Sequence, residues 1–288
     1  MRALELFSGV GGWRFALQGR GDVVAAYDVN EAANATYALN HGDPVHPREL
    51  ATVPLEALTV HGADTWLMSP PCQPFCRMGN HEGLADRRSR AFRHLMELFE
   101  QAPPEHLVLE NVSGFLGSDA HQLLSSLVRA HGMHQLDLQA CPSRFGLPNQ
   151  RPRIYLVISR RPLRPLAFPD LPVPPLEAFL DAEVDERLYV PSDVLARHGP
   201  GLDLVTPMDV RSACFIGGYG RRLVGSGSFL KTARGIRRFS PMELARLHGL
   251  PERFCFPDQV SLEARYKLLG NGLSIPVASW ALDHLLSR

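Results

Sequence analysis

Over its first 160 residues the chain alternates two hydrophobic periods, and that alternation limits the folds open to it. Short apolar runs of strand type occur at residues 3–7, 23–27, 65–68, 106–110 and 153–159. Between them lie stretches with helical spacing. These cover 11–17, 30–40 with Asn30 as cap, and 90–100 with Phe92, Leu95, Met96 and Phe99 on one face. Asp119 can cap a further helix that buries Leu123, Leu124, Leu127 and Val128. Continuous apolar strands separated by amphipathic helices predict an α/β protein with a doubly wound, mostly parallel sheet. In such a sheet the carboxyl ends of the strands share one edge, where ligands bind.

The pattern breaks at residues 162–175, which carry six prolines and read as a linker or crossing segment. A small Gly-rich module follows. Helical spacing returns at Ser240, a cap with Pro241 in the first turn and Glu243 completing a capping box, and a last helix is expected over 274–286. The expected organisation is a catalytic domain at 1–161 completed by 238–288, with a small target-recognition region at 162–237.

The sequence, 45% hydrophobic and 21% charged, is that of a soluble globular protein. No apolar stretch approaches the roughly 20 residues needed to span a membrane, and residues 1–6 lack a signal-peptide pattern. Five cysteines without close CxxC pairs argue against a disulfide framework and suit a cytoplasmic protein. Cys72 and Cys76 have no second pair at zinc-site spacing, so no metal is expected. Formal net charge is zero, yet residues 141–164 hold six arginines and residues 211–238 seven basic residues, with no acid in either stretch. Such segregation predicts a basic face that binds phosphates.

Four strand ends carry candidate chemistry. The first opens into Phe7-Ser8-Gly9-Val10-Gly11-Gly12, whose glycines let backbone approach a ligand, and Asp28 ends the second strand where a carboxylate can bind a ribose diol. An NAD site has the same outline, but the spacing is not G-x-G-x-x-G, and a nucleoside without phosphates fits at least as well. The third expected strand is stopped by Ser69-Pro70-Pro71, because consecutive prolines cannot continue a ladder, and this presents Cys72 on a stiff loop. The fourth ends in Glu110-Asn111-Val112. A glutamate at so apolar a strand end is either a desolvated, protonated acid or a carboxylate paired with an arginine. In Gln150-Arg151-Pro152-Arg153 a period of two places both arginines on one side, suited to a carbonyl oxygen or a phosphate. Gly270-Asn271-Gly272 reads as a tight turn feeding the last helix.

In chain order these motifs resemble the cytosine-5 methyltransferase family. Residues 214–220, 225–228 and 238–243 are similar to its DNA-methyltransferase-like branch that methylates the anticodon loop of aspartate transfer RNA. That branch usually has Cys-Phe-Thr where this chain has Cys214-Phe215-Ile216.

The resemblance implies a Rossmann-like methyltransferase fold using S-adenosylmethionine and releasing S-adenosylhomocysteine. The cofactor residues would be Phe7, Ser8, Gly9, Val10, Gly11 and Gly12, then Asp28, Val29 and Glu49. Ser69, Pro70, Asn271 and Gly272 complete that set. Cys72 would add to carbon 6 of cytosine, making carbon 5 nucleophilic enough to take the methyl group. Glu110 would act at nitrogen 3 as acid, Arg153 would hold the ring oxygen, and Arg151 would support the site. Gln73, Asn111, Cys214, Arg221 and Arg222 would meet the substrate. A stacked base is out of reach of this chemistry, so the target must be unpaired or flipped out. The expected partner of this monomer is transfer RNA, with DNA as the alternative; a nucleotide-binding oxidoreductase or a silent binding module would not need Cys72, Glu110 and Arg153 together.

Overall fold

The computed structural model describes residues 1–71, 84 and 86–286. They form two compact units, the first from Met1–Ala140, Pro152–Ala167 and Val277–Arg288, the second from Cys141–Arg151 and Phe168–Pro276.

In chain order the first unit contains β1 (Arg2–Leu6), α1 (Gly12–Leu17), β2 (Asp22–Tyr27), α2 (Glu31–His41), the short α3 (Leu55–Thr59) and β3 (Thr65–Met68). There follow α4 (Arg90–Gln101), β4 (His106–Val112), α5 (Asp119–Ala130), β5 (His134–Ala140) and β6 (Arg153–Ser159). The strands form one six-stranded sheet in the order β2-β1-β3-β4-β6-β5. The first four are parallel, and β6 runs antiparallel to both β4 and β5. Asn30 caps α2 as expected, its Oδ1 accepting from the Ala33 amide at 3.1 Å. The cap of α5 is Ser118 rather than Asp119, with Ser118 Oγ accepting from the His121 amide.

β5 was not legible. His134-Gln135-Leu136-Asp137-Leu138-Gln139-Ala140 lies at the sheet edge and is half polar, so it lacks the continuous apolar run of its neighbours. Alternate residues of the inner strands bury Leu4, Leu6, Trp66, Met68, Leu107, Leu109, Ile154, Leu156 and Ile158 with Phe92, Leu95, Phe99 and Leu124 of α4 and α5. Each such side chain contributes about 1.5–3 kcal/mol.

The second unit holds α6 (Ser192–His198), β7 (Asp203–Val205), β8 (Ser228–Thr232), β9 (Gly235–Arg237), α7 (Pro241–Leu247) and α8 (Leu262–Asn271). β7, β8 and β9 make a small sheet, parallel then antiparallel. Phe215, Tyr219, Phe229, Phe239 and Tyr266 are fully buried against one another. The Tyr266 hydroxyl donates to Phe239 O at 2.6 Å. α7 begins with the expected capping box of Ser240 and Glu243 and with Pro241 in its first turn. The last helix, α9 (Ile275–Leu286), belongs to the first unit from Val277 onward.

One sequence expectation differs here. Gly270 and Asn271 are the last residues of α8, not a free turn; a terminal Gly-Asn-Gly masks the helix that Ser261 caps. The second compact unit takes in residues on both sides of 168–237. Ser212 Oγ donates to Pro148 O and the Gln150 amide to Ser212 O, which ties in residues 141–151. Glu243 of α7 accepts from the Asp181 amide and pairs with Arg237.

Candidate active site

The carboxyl edge of β1 is a strained turn. The strand ends at Leu6, one residue earlier than expected, and Phe7 adopts φ 59°, followed by Gly9 at 54° and Gly11 at 85°. A left-handed residue with a large side chain is costly and persists where the surroundings over-determine it. A Cβ on Gly11 would also lie 2.2 Å from His41 Nε2 and 3.0 Å from Tyr37 Cδ2, so any side chain there would have to displace these rings.

Asp28, just past β2, organises this turn. Its Oδ2 accepts from the Gly9 amide and its Oδ1 from the Asn30 amide, both at 2.9 Å. A carboxylate has further acceptor sites beyond these two, so a ribose diol can still bind. Beside it Val29 is 58% exposed, an apolar surface for a flat base, and Val10 is buried. Ser8 Oγ is buried and has no hydrogen-bond partner among the described residues. A loop with an orphaned hydroxyl, a half-buried carboxylate and an exposed valine fits a nucleoside cofactor. Glu49 is exposed on a later loop and accepts from the Ala51 amide at 3.3 Å.

Glu5 is a site residue that sequence reasoning missed. It is fully buried in β1, and Oε1 accepts from the Trp13 amide at 2.9 Å while Oε2 accepts from the Tyr37 hydroxyl at 3.2 Å. Burial pushes its carboxyl up to about 8, against these hydrogen bonds, which favour the ionised form. Glu5 thereby holds the start of α1 directly behind the glycine turn. The signal was present: an acid inside Ala3-Leu4-Glu5-Leu6 is as anomalous as Glu110 in β4. Trp13, also overlooked, donates from Nε1 to Ser69 Oγ at 3.0 Å and meets the Tyr155 ring edge-on at 6.1 Å.

Cys72 and Gln73 lie outside the described residues; Pro70, two positions before Cys72, does not. Pro70 is buried, and its carbonyl accepts from Asn111 Nδ2 at 3.1 Å. Asn111, expected to meet substrate, therefore anchors the loop that leads to Cys72 onto the end of β4.

Glu110 has the arginine partner that the sequence left open. Arg153 Nε stands 3.3 Å from Glu110 Oε1, with both side chains largely buried. Reversal of β6 makes this possible: Arg153 opens that strand opposite Val112, one diagonal step from Glu110 on the same face. An acid and a guanidinium thus lie side by side at the carboxyl edge of β4.

Arg151 departs from the expected alternation. It precedes β6, is 2% exposed, and directs its guanidinium to backbone carbonyls of the second unit, so it does not share a strand face with Arg153. The carbonyls are those of Phe215, Gly270 and Gly272, and Cys214 Sγ is 3.3 Å from Nη1. Cys214, Asn271 and Gly272 are therefore brought together around Arg151.

The acid-free arginine stretches do not stay acid-free in space. Arg144 pairs with Asp170, Arg160 with Glu105, Arg211 with Asp203, Arg221 with Glu263, Arg234 with Glu186 and Arg237 with Glu243. The fold imports carboxylates from other segments, so the expected basic face is neutralised in part. Arg161, Arg164, Arg222 and Lys231 are exposed and have no ion pair among the described residues. Exposed pairs such as Arg221–Glu263 contribute little stability and can exchange their acid for a phosphate. No group of three His, Cys, Asp or Glu among the described residues is placed to hold a metal ion. No described helix is long and apolar enough to cross a membrane.

A mostly parallel six-stranded sheet with one reversed strand, a glycine turn answered by Asp28, and Glu110 against Arg153 defines a Rossmann-like α/β protein of the S-adenosylmethionine-dependent methyltransferase class. The chain belongs to the C-5 cytosine-specific DNA methylase family, whose model matches residues 1–184 and 216–286, and it is a cytosine-5 methyltransferase. It is 31% identical to the tRNA (cytosine(38)-C(5))-methyltransferase of Schizosaccharomyces pombe, over 99% of this chain and 97% of that protein. To the human tRNA (cytosine(38)-C(5))-methyltransferase it is 29% identical over 97% of each. Among solved structures, the Entamoeba histolytica methyltransferase EhMeth superposes with a TM-score of 0.94 at 25% identity, covering 100% of this chain and 99% of that one.

Proposed function

We propose that the protein methylates carbon 5 of a cytosine in the anticodon loop of a transfer RNA, of aspartate type, in the cytoplasm. The observation that carries the substrate class is the end-to-end match to relatives named for methylating cytosine 38 of transfer RNA. Residues 162–237 would recognise the target, and about 76 residues suit a splayed loop read by shape better than a long duplex sequence.

S-adenosylmethionine would supply the electrophilic methyl group. Gly9, Gly11, Ser8 and Asp28 would bind its nucleoside, with Asn271 and Gly272 assigned to it by resemblance. Cys72 sulfur bonds to carbon 6, and Glu110 holds the proton at nitrogen 3 so that the electron pair can move to carbon 5. Arg153 keeps Glu110 and the ring oxygen in register. With the methyl group on carbon 5 and S-adenosylhomocysteine as the leaving group, a base would remove the carbon 5 proton and the Cys72–carbon 6 bond would break, its electrons returning to sulfur. Arg222, Arg221 and the Cys214 loop would meet the nucleic acid.

The family description favours one competitor, the same chemistry on DNA. Bisulfite sequencing of total transfer RNA and of an unmodified DNA duplex, each incubated with purified protein, separates the two. Methylation of one anticodon-loop cytosine with an inert duplex is expected. Comparable rates on the duplex would overturn the RNA reading.

A further inference from the structure

One buried guanidinium joins two segments of the second unit. Arg151 Nη1 donates to Phe215 O at 2.8 Å, and Nη2 donates to Gly270 O at 2.9 Å and Gly272 O at 2.7 Å. The first carbonyl belongs to the loop that begins at Cys214; the other two flank Asn271 at the end of α8. These segments also interlock without the arginine. A Cβ on Gly270 would lie 2.2 Å from Ile216 C and 2.3 Å from Gly217 N, so backbone touches backbone there. A Cβ on Gly217 would lie 3.0 Å from Asn271 Oδ1. Close-packed backbone transmits displacement rather than absorbing it. A shift at Asn271 must therefore move Ile216 and Gly217, and the shared guanidinium makes the two carbonyl sets move as one.

We infer that Arg151 is a positioning residue that couples occupancy at Asn271 and Gly272 to the conformation of the 214–217 loop, so that cofactor and RNA strengthen each other's binding. This rests on the assignments above, which place the cofactor at Asn271 and Gly272 and the nucleic acid at the Cys214 loop. The fork of a guanidinium is required because a lysine ammonium is a single point donor and cannot span three carbonyls in fixed geometry. The coupling is reciprocal by linkage: whatever factor cofactor adds to RNA affinity, RNA adds to cofactor affinity.

The test measures S-adenosylhomocysteine affinity with and without saturating unmodified transfer RNA, and the converse. Wild type is expected to show coupling of about 5–150-fold in both directions. Arg151→Lys is expected to bring the coupling below about twofold, read as the ratio of the variant's own affinities with and without the other ligand, whatever the change in each affinity. A merely structural arginine would instead lower stability and both affinities with their ratio intact. Hydrogen exchange on wild type needs no substitution and decides the matter if the lysine variant does not fold. S-adenosylhomocysteine alone should slow exchange of the Ile216 amide, which donates to Ser226 O at 3.0 Å. Coupling retained in Arg151→Lys, no coupling in wild type, or unchanged Ile216 exchange with the ligand bound would each overturn the inference. Wild type that binds no S-adenosylhomocysteine would overturn the proposed function, and the inference with it.

Discussion

Arg153 Nε lies 3.3 Å from Glu110 Oε1, Arg153 opening β6 and Glu110 standing near the end of β4, which runs in the opposite direction. A strand start normally faces away from the chemistry of a parallel sheet. Reversing β6 turns its first residue toward the carboxyl edge, where Glu110 lies two residues before the end of β4.

This pair sets the first expectation. Glu110→Gln keeps the shape but not the acid, and turnover should fall by about 10²–10⁴-fold with RNA affinity nearly unchanged. Cys72→Ala should abolish transfer, and RNA carrying 5-fluorocytosine should trap a covalent adduct with wild type. Retention of a tenth of wild-type turnover by Cys72→Ala would exclude the covalent route.

Asp28 holds Gly9 and is assigned the ribose. Its replacement by Ala removes a charged acceptor, a contribution of about 1.5–3 kcal/mol, so S-adenosylhomocysteine should bind about tenfold to a hundredfold more weakly by calorimetry. An unchanged affinity would move the nucleoside elsewhere.

Glu5 makes stability depend on pH with a definite sign. Its carboxyl is raised from 4.5 to about 8 by burial, so between those values the folded state binds more protons than the unfolded state. Stability from this group is complete below about pH 4.5 and is lost as pH rises toward 8, by at most about 1.4 kcal/mol per unit. Glu5→Gln should keep an acceptor for the Trp13 amide and remove that slope in urea titrations at pH 5.5 and 7.5. Parallel pH profiles for variant and wild type would contradict the assignment.

Arg237 and Glu243 form a buried pair at 2.7 Å, with side-chain exposures of 4% and 0%. Glu243→Ala leaves a guanidinium unpaired and should cost about 3–5 kcal/mol in chemical denaturation. Replacing both partners with apolar residues should recover a large part of that loss. A single variant as stable as wild type would show that the pair opens to water.

Local pattern carried much of this protein. The parallel strands, the Asn30 cap, the Ser240–Glu243 box and the strand-end positions of Gly9, Asp28 and Glu110 follow from periodicity, capping chemistry and the geometry of a wound sheet. The partners of Glu5 and Arg151, the reversal of β6 and the edge strand β5 were decided by tertiary structure alone. So was the partial neutralisation of the arginine stretches, because charges separated in sequence meet wherever backbone paths cross. A residue's type announces that it needs a partner, as Glu5 and Glu110 do inside apolar strands. Which partner it finds depends on strand order and direction, and those are set by the burial of whole faces rather than by any short run of residues.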